Sequence, residues 1–227
     1  MFAVYKKELK SYFLSPIGYV VIGIFLLFFS VFFYLTVFNS NTVDLGALYY
    51  YTALYGLIII IPILTMRIFA EERKNGTEQL LLTSPTGMLK VVFGKFFAAL
   101  SVILITLLIS LMFFAIISYF GKPNIGTTFV AILGFIFLSM AAISVGMFAS
   151  SLTENQMIAG VITVAFLVIS LFTNNISSSL EGITLIDYYT KFAQGIISIE
   201  NIISLLLFTF LFISLTIIVM QRRKLVK

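Results

Sequence analysis

The amino-acid sequence predicts an all-α integral membrane protein: six transmembrane helices preceded by an interfacial helix. Three observations carry that expectation. Of the 227 residues, 61% are hydrophobic and 10% charged, whereas a soluble domain is about a quarter charged. Mean hydropathy is +1.14. The apolar residues also gather into six runs, each able to cross a hydrocarbon core about 30 Å thick with ~20 helical residues.

Residues 2–14 come first. Placed on a helix, Phe2, Tyr5, Leu9, Tyr12 and Phe13 share one face, while Lys6, Lys7 and Lys10 lie to the other side. This amphipathic pattern predicts a helix along the inner leaflet, an elbow that also bears on the moving parts. Ser15-Pro16 then supplies an N-cap and a proline at the first helical position, so a new helix can start at an angle. The first run, 17–38, is too long for a signal peptide and is followed by Asn39-Ser40-Asn41, with no small-residue cleavage site. It is expected to be retained.

The remaining runs are 48–69, 96–120, 127–150, 157–173 and 202–220. In the second, Pro62 removes one backbone hydrogen bond and predicts a kink ahead of the charged stretch that follows. In the fourth, Ala142, Gly146 and Ser150 recur every four residues, a smooth ridge suited to close packing within the chain. The fifth is the shortest and stops at Asn174-Asn175. Midspan hydroxyls such as Thr65, Thr106, Ser144, Thr163 and Thr209 read as packing residues that bond back to their own helices.

Six spans return both termini to one side. All 14 basic residues except Lys122 and Lys191 fall on that side, which the positive-inside rule makes cytoplasmic. The pI near 9.4 is therefore a topology signal, and no nucleic-acid partner is expected.

Several chemistries are excluded. With no cysteine and no histidine, the chain lacks disulfides, thiolates, the usual zinc ligands and the commonest general base. No catalytic or metal site is expected. The nearest approach to a Walker A loop, Gly87 to Gly94-Lys95-Phe96, has six residues between its glycines and Phe in place of the hydroxyl residue. The chain is not expected to hydrolyse ATP. Coupled secondary transport normally places ionisable groups at membrane depth, and no Asp, Glu, Lys or Arg lies near the middle of any run. A secondary transporter or an ATP-independent structural protein remains the alternative reading.

One polar stretch interrupts this apolar chain. After Arg67 come Glu71, Glu72, Arg73 and Lys74, an Asn75-Gly76 break, then Thr77, Glu78, Gln79, Leu80, Leu81, Leu82 and Thr83 before Ser84-Pro85. A short helix fits between the break and the Ser-Pro restart, an apolar knob with polar flanks. Such a knob can insert into a groove on a cytosolic protein, its acidic rim selecting a basic partner. It can equally dip its leucines into the membrane; physics alone leaves both open.

The stretch from Phe69 to Pro85, set after an interfacial helix and two spans, resembles the type-2 permease family of ATP-binding-cassette (ABC) exporters. An acidic pair, a Gly-Thr, a leucine-rich turn and a Thr-x-Pro ending mark that family's coupling helix. Here Glu71, Glu72, Gly76, Thr77, Leu80, Leu81, Thr83 and Pro85 hold the matching positions, with Arg73 and Glu78 between them. Residues 174–200 are too polar to span alone, and 185–198 too apolar for a free loop. With Phe192, Gly195 and Ile196 in a Phe-x-x-Gly-Ile pattern, they resemble the family's pair of short re-entrant helices before the last span. Such backbone is tolerated only where it is buried in protein or faces water.

The resemblance implies one transmembrane permease domain over 1–227. Within it, 2–14 is the interfacial helix, 70–85 the cytoplasmic coupling segment and 174–200 the external re-entrant region. It also implies a prokaryotic inner-membrane exporter subunit with a separate cytosolic ATPase and a second permease copy or related permease. ATP and Mg would sit on that ATPase, with no cofactor on this chain. Within the family, the chain most resembles the small permeases associated with gliding-motility-type operons.

Overall fold

The computed structural model describes residues 1–38, 45–79, 87–172 and 184–226. Those residues form helices and no strand. α1 (Phe2–Leu14) ends at Ser15, whose extended backbone (φ −92°, ψ 156°) turns the chain into α2 (Pro16–Phe33). The Ser-Pro restart is thus where the sequence places it. Gly18 permits the elbow to close, because a Cβ there would stand 2.7 Å from the Tyr12 carbonyl oxygen.

A π-helical turn, Tyr34–Phe38, prolongs α2. The second span is assembled from α3 (Leu45–Tyr51), a π-helical turn at Thr52–Gly56 and α4 (Leu57–Thr65). α5 (Ala70–Lys74) follows after a four-residue interruption. Then come α6 (Met88–Phe120), α7 (Ile125–Leu152), α8 (Gln156–Phe172), α9 (Leu185–Ala193) and α10 (Ile199–Val226).

Five helical segments are long and apolar enough to cross a membrane: Pro16–Phe38, Leu45–Lys74, Met88–Tyr119, Ile125–Leu152 and Ile199–Arg223. The expected fifth run is a shorter apolar helix. With 17 residues, α8 reaches about 25 Å, less than a full hydrocarbon core. Its start is fixed by Asn155, whose Oδ1 accepts the Met157 amide at 2.9 Å.

α7 is the central helix, packed against α3, α4, α6, α8, α9 and α10. Two glycines make this possible. A Cβ on Gly134 would stand 2.5 Å from Phe192 Cγ, and one on Gly146 would stand 2.7 Å from Thr65 Cβ. Ala142, Gly146 and Ser150 are all buried, so the small-residue ridge serves packing inside the chain. An aromatic cluster of Phe25, Phe29, Tyr49, Phe135 and Tyr189 joins α2, α3, α7 and α9 through edge contacts and stacks. The midspan hydroxyls bond back as expected: Thr106 to Val102, Thr163 to Ala159 and Thr209 to Leu205, at 2.7 to 2.8 Å.

α9 is nine residues long, about 14 Å, and so cannot span. It is nevertheless buried. Tyr189 Oη donates to the Ala131 carbonyl at 3.2 Å, and Asn201 Nδ2 donates to the Tyr188 carbonyl at 2.9 Å. Phe192 fills the notch at Gly134, and Gly195 (φ +80°) closes the helix where a Cβ would meet Thr127 Cγ2 at 2.6 Å. Ile196 is exposed. Residues 174–183 of the expected re-entrant region lie outside the described residues.

Candidate functional site

The charged side chains converge at one end of the bundle, where α1, α5, the start of α6, the end of α7 and the end of α10 meet. Met1 and the last turns of α10 are at that end. The organising feature is the interruption between α4 and α5. Residues 66–69 leave the α-helical path, so backbone groups that would bond to one another within a helix need other partners.

Three helices supply them. From α7, Ser150 Oγ accepts the Phe69 and Ala70 amides, both at 3.1 Å, and donates to the Met66 carbonyl at 3.1 Å. From α1, Tyr12 Oη donates to the Leu64 carbonyl at 3.1 Å. From α6, Lys95 Nζ donates to the Ile68 carbonyl at 2.9 Å. The Ile68 amide itself turns to the Thr65 carbonyl. Burial, and secondarily the Glu8 carboxylate, push the Tyr12 phenol well above the ordinary tyrosine range, so it remains a donor. Pro62, where the sequence predicts a kink, lies inside α4. The break falls four residues later, where side chains from other helices can replace the lost bonds.

Lys95 is only 1% exposed, and its three donors are accounted for by Ile68, Glu8 Oε1 at 3.1 Å and Glu72 Oε1 at 2.9 Å. The Phe69 ring lies 5.4 Å from its nitrogen. Lys7, 70% exposed, stands 3.9 Å from Glu8 and 3.8 Å from Glu72 on the outer side. Two cations and two carboxylates thus balance across α1, α5 and α6, which is what allows an ammonium to be buried there.

A second set of pairs anchors the rest of the segment. Arg67 grips Glu71 with both arms, Nε to Oε2 at 2.6 Å and Nη2 to Oε1 at 3.0 Å. Arg73 Nη2 meets Glu154 of the α7–α8 loop at 2.7 Å. Glu78, 8% exposed, sits between Arg73 at 4.0 Å and Arg223 of α10 at 3.3 Å. Gly76 takes φ +71°, a left-handed conformation that ends α5 and suits glycine. Thr77 Oγ1 donates back to the Glu72 carbonyl at 3.2 Å. A cavity of about 210 Å³ adjoins this network between α1 and α5, bordered by Ser11, Ser15, Asn75 and Thr77.

The structure therefore brings together Glu71, Glu72, Arg73, Gly76, Thr77 and Glu78. Leu80, Leu81, Thr83 and Pro85 lie outside the described residues. α1 lays Tyr5, Leu9, Tyr12 and Phe13 of its apolar face against the bundle, and its seat is fixed by residues beside that face. Val4, Glu8 and Tyr12, one helical turn apart, meet α6 and α4 together with Tyr5, whose hydroxyl pairs with Ser101 at 2.9 Å. Phe2 is left 75% exposed, Leu9 and Phe13 are half-buried, and Lys6 and Lys10 are exposed. The cause is local: Lys95 holds Glu8, and Gly94 leaves room for Val4, whose Cβ would lie 3.1 Å from any Cβ there.

Four charges that sequence reasoning passed over, or assigned to topology alone, are structural: Glu8, Lys95, Glu154 and Arg223. A signal existed for two. Glu8 is the sole acid in residues 1–14, and Lys95 stands at the threshold of a long apolar run.

The fold is that of a multi-pass helical membrane protein with a buried, cross-linked polar end. Residues 50–223 match the model of the ABC-2 family transporter protein, and the chain belongs to that family. It is the permease component of an ABC transporter. The match begins in α3, so α1 and α2 are tied to the site by their contacts alone, and it speaks for the family without dividing it into subgroups. No curated protein matches the chain.

Proposed function

We propose that this chain couples ATP hydrolysis on a separate cytosolic ABC ATPase to export across a prokaryotic inner membrane. Both termini are cytoplasmic, ATP and Mg reside on the ATPase, and two copies of this chain, or one copy and a related permease, enclose the path. The observation that supports this reading is the anchoring of α5. Glu72, Arg73 and Glu78 tie it and its following turn to α1, α6, the α7–α8 loop and α10. A displacement of residues 76–83 by the ATPase is thereby felt by several spans at once. Leu80, Leu81, Thr83 and Pro85 would form the contact itself, and residues 2–14 would move with it. Only a difference in binding between two states can perform such work.

Affinity purification of the tagged protein in mild detergent tests this. A Walker-type ATPase should accompany the wild type and be lost from Leu80→Asp and Leu81→Asp variants that keep a monodisperse profile. If the folded variants retain the ATPase, the contact is misplaced. If no ATPase accompanies the folded wild type, an ATP-independent structural role or secondary transport becomes the better reading.

A further inference from the structure

We infer that the face this end offers the ATPase is basic, and that it fits an acidic surface on that partner. The inference rests on the coupling role proposed above. The sequence suggests the opposite, an acidic rim choosing a basic partner, but the carboxylates are already spent. Glu8, Glu72 and Glu78 are largely buried against Lys95, Lys7, Arg73 and Arg223, and Glu71 is gripped by Arg67. Glu154 is the one exposed acid at this end among the described residues, and it is paired with Arg73 at 2.7 Å. Residues 80–86 contain no ionisable side chain, so the coupling segment cannot restore the negative charge.

The cations are disposed differently. Lys74, Lys90 and Arg222 are exposed and have no ion pair among the described residues. Lys74 closes α5 just before the Gly76 break, Lys90 lies just beyond the coupling segment, and Arg222 adjoins the arginine that holds Glu78. Two of them lie near the ends of helices longer than a hydrocarbon core. α6 has 33 residues and α10 has 28, about 50 and 42 Å, against a hydrocarbon core of about 30 Å. Lys90 lies five residues, more than a helical turn, from the buried Lys95 toward the start of α6. Lys74 and Lys90, which flank the coupling segment in sequence, and Arg222 thus give this end exposed positive charge, unpaired among the described residues, the charge pattern that steers an acidic partner into register.

The test uses the ATPase identified with the wild type, purified by itself, and the permease in nanodiscs of zwitterionic lipid. The triple variant Lys74→Glu/Lys90→Glu/Arg222→Glu should bind that ATPase about tenfold or more weakly at low salt and lose most of the salt dependence of the wild type. Reversing acidic residues on the facing surface of the ATPase should restore binding. A glutamine triple variant, expected to fall in between, carries the test if the glutamate one does not fold. Unchanged affinity and salt dependence in folded variants would overturn the inference. So would a change confined to nanodiscs of anionic lipid, which would assign these cations to headgroups. A wild type that binds no ATPase would instead sink the coupling reading itself.

Discussion

Lys95 and Glu72 form a 2.9 Å ion pair between α6 and α5, and the same ammonium donates to the Ile68 carbonyl just before α5 begins. One side chain therefore holds both the charge and the backbone of the segment. Lys95→Met would leave Glu8 and Glu72 without their inner partner, an uncompensated pair of carboxylates. We expect a loss of about 3 kcal/mol, read as lowered resistance to denaturation in micelles. Lys95→Arg should not restore it, because a planar fork cannot direct three donors to one carbonyl and two separate carboxylates. Adding Glu72→Leu to Lys95→Met should recover part of the loss.

Ser150 accepts two amides and serves one carbonyl of the interruption. Ser150→Ala is expected to cost about 2 to 3 kcal/mol, since buried donors would be left unpaired. Amide exchange at Phe69 and Ala70 should accelerate, while that in the middle of α7 should not. Unchanged exchange at those two amides would mean that the hydroxyl does not hold the break.

The glycines of the bundle should rank by what surrounds them. Gly134→Ala and Gly146→Ala place a methyl group into Phe192 and Thr65, whereas nothing lies within 4 Å of a Cβ on Gly23. The first two should lower stability by about 1 to 3 kcal/mol through overpacking, and Gly23→Ala should be neutral or stabilising. Thermal unfolding of the three variants in one detergent checks the order.

Tyr12 gives the site an alkaline limit. Its folded-state pKa is raised, so the folded chain keeps this proton at pH values where the unfolded chain has lost it. The associated stability is complete below the unfolded value near 10 and falls as pH rises above it. Tyr12→Phe should cost about 1 kcal/mol at neutral pH through the lost bond to Leu64, and should flatten the decline above pH 10. An equally steep decline in the variant would point to another group.

Much of the fold is legible in the residues. Apolar runs give the spans, Ser15-Pro16 gives the elbow, Gly76 gives the end of α5, and the Ala142, Gly146 and Ser150 spacing gives the packing ridge. These features depend on neighbours in sequence. The site is less legible because it depends on neighbours in space. Glu8 and Lys95 are 87 positions apart, and no local pattern distinguishes a lysine that marks topology from one that is buried in an ion pair. The π-helical turn at Thr52–Gly56 has no local signature either. The same holds for the break at 66–69: its chain carries ordinary helix formers, and its partners Tyr12, Lys95 and Ser150 come from three other helices.

The interruption before α5 also has a consequence for biosynthesis. The Leu64, Met66 and Ile68 carbonyls and the Phe69 and Ala70 amides are satisfied by residues 12, 150 and 95, so the segment cannot reach its final form while only the first two spans have left the ribosome. Glu8 and Glu72 wait in water for Lys95, and the Phe69 and Ala70 amides wait for the fourth span. A chain stalled or mis-inserted before residue 150 therefore displays open charges and loose backbone on its exposed end, a visible mark of incompleteness for the proteases that survey newly made membrane proteins.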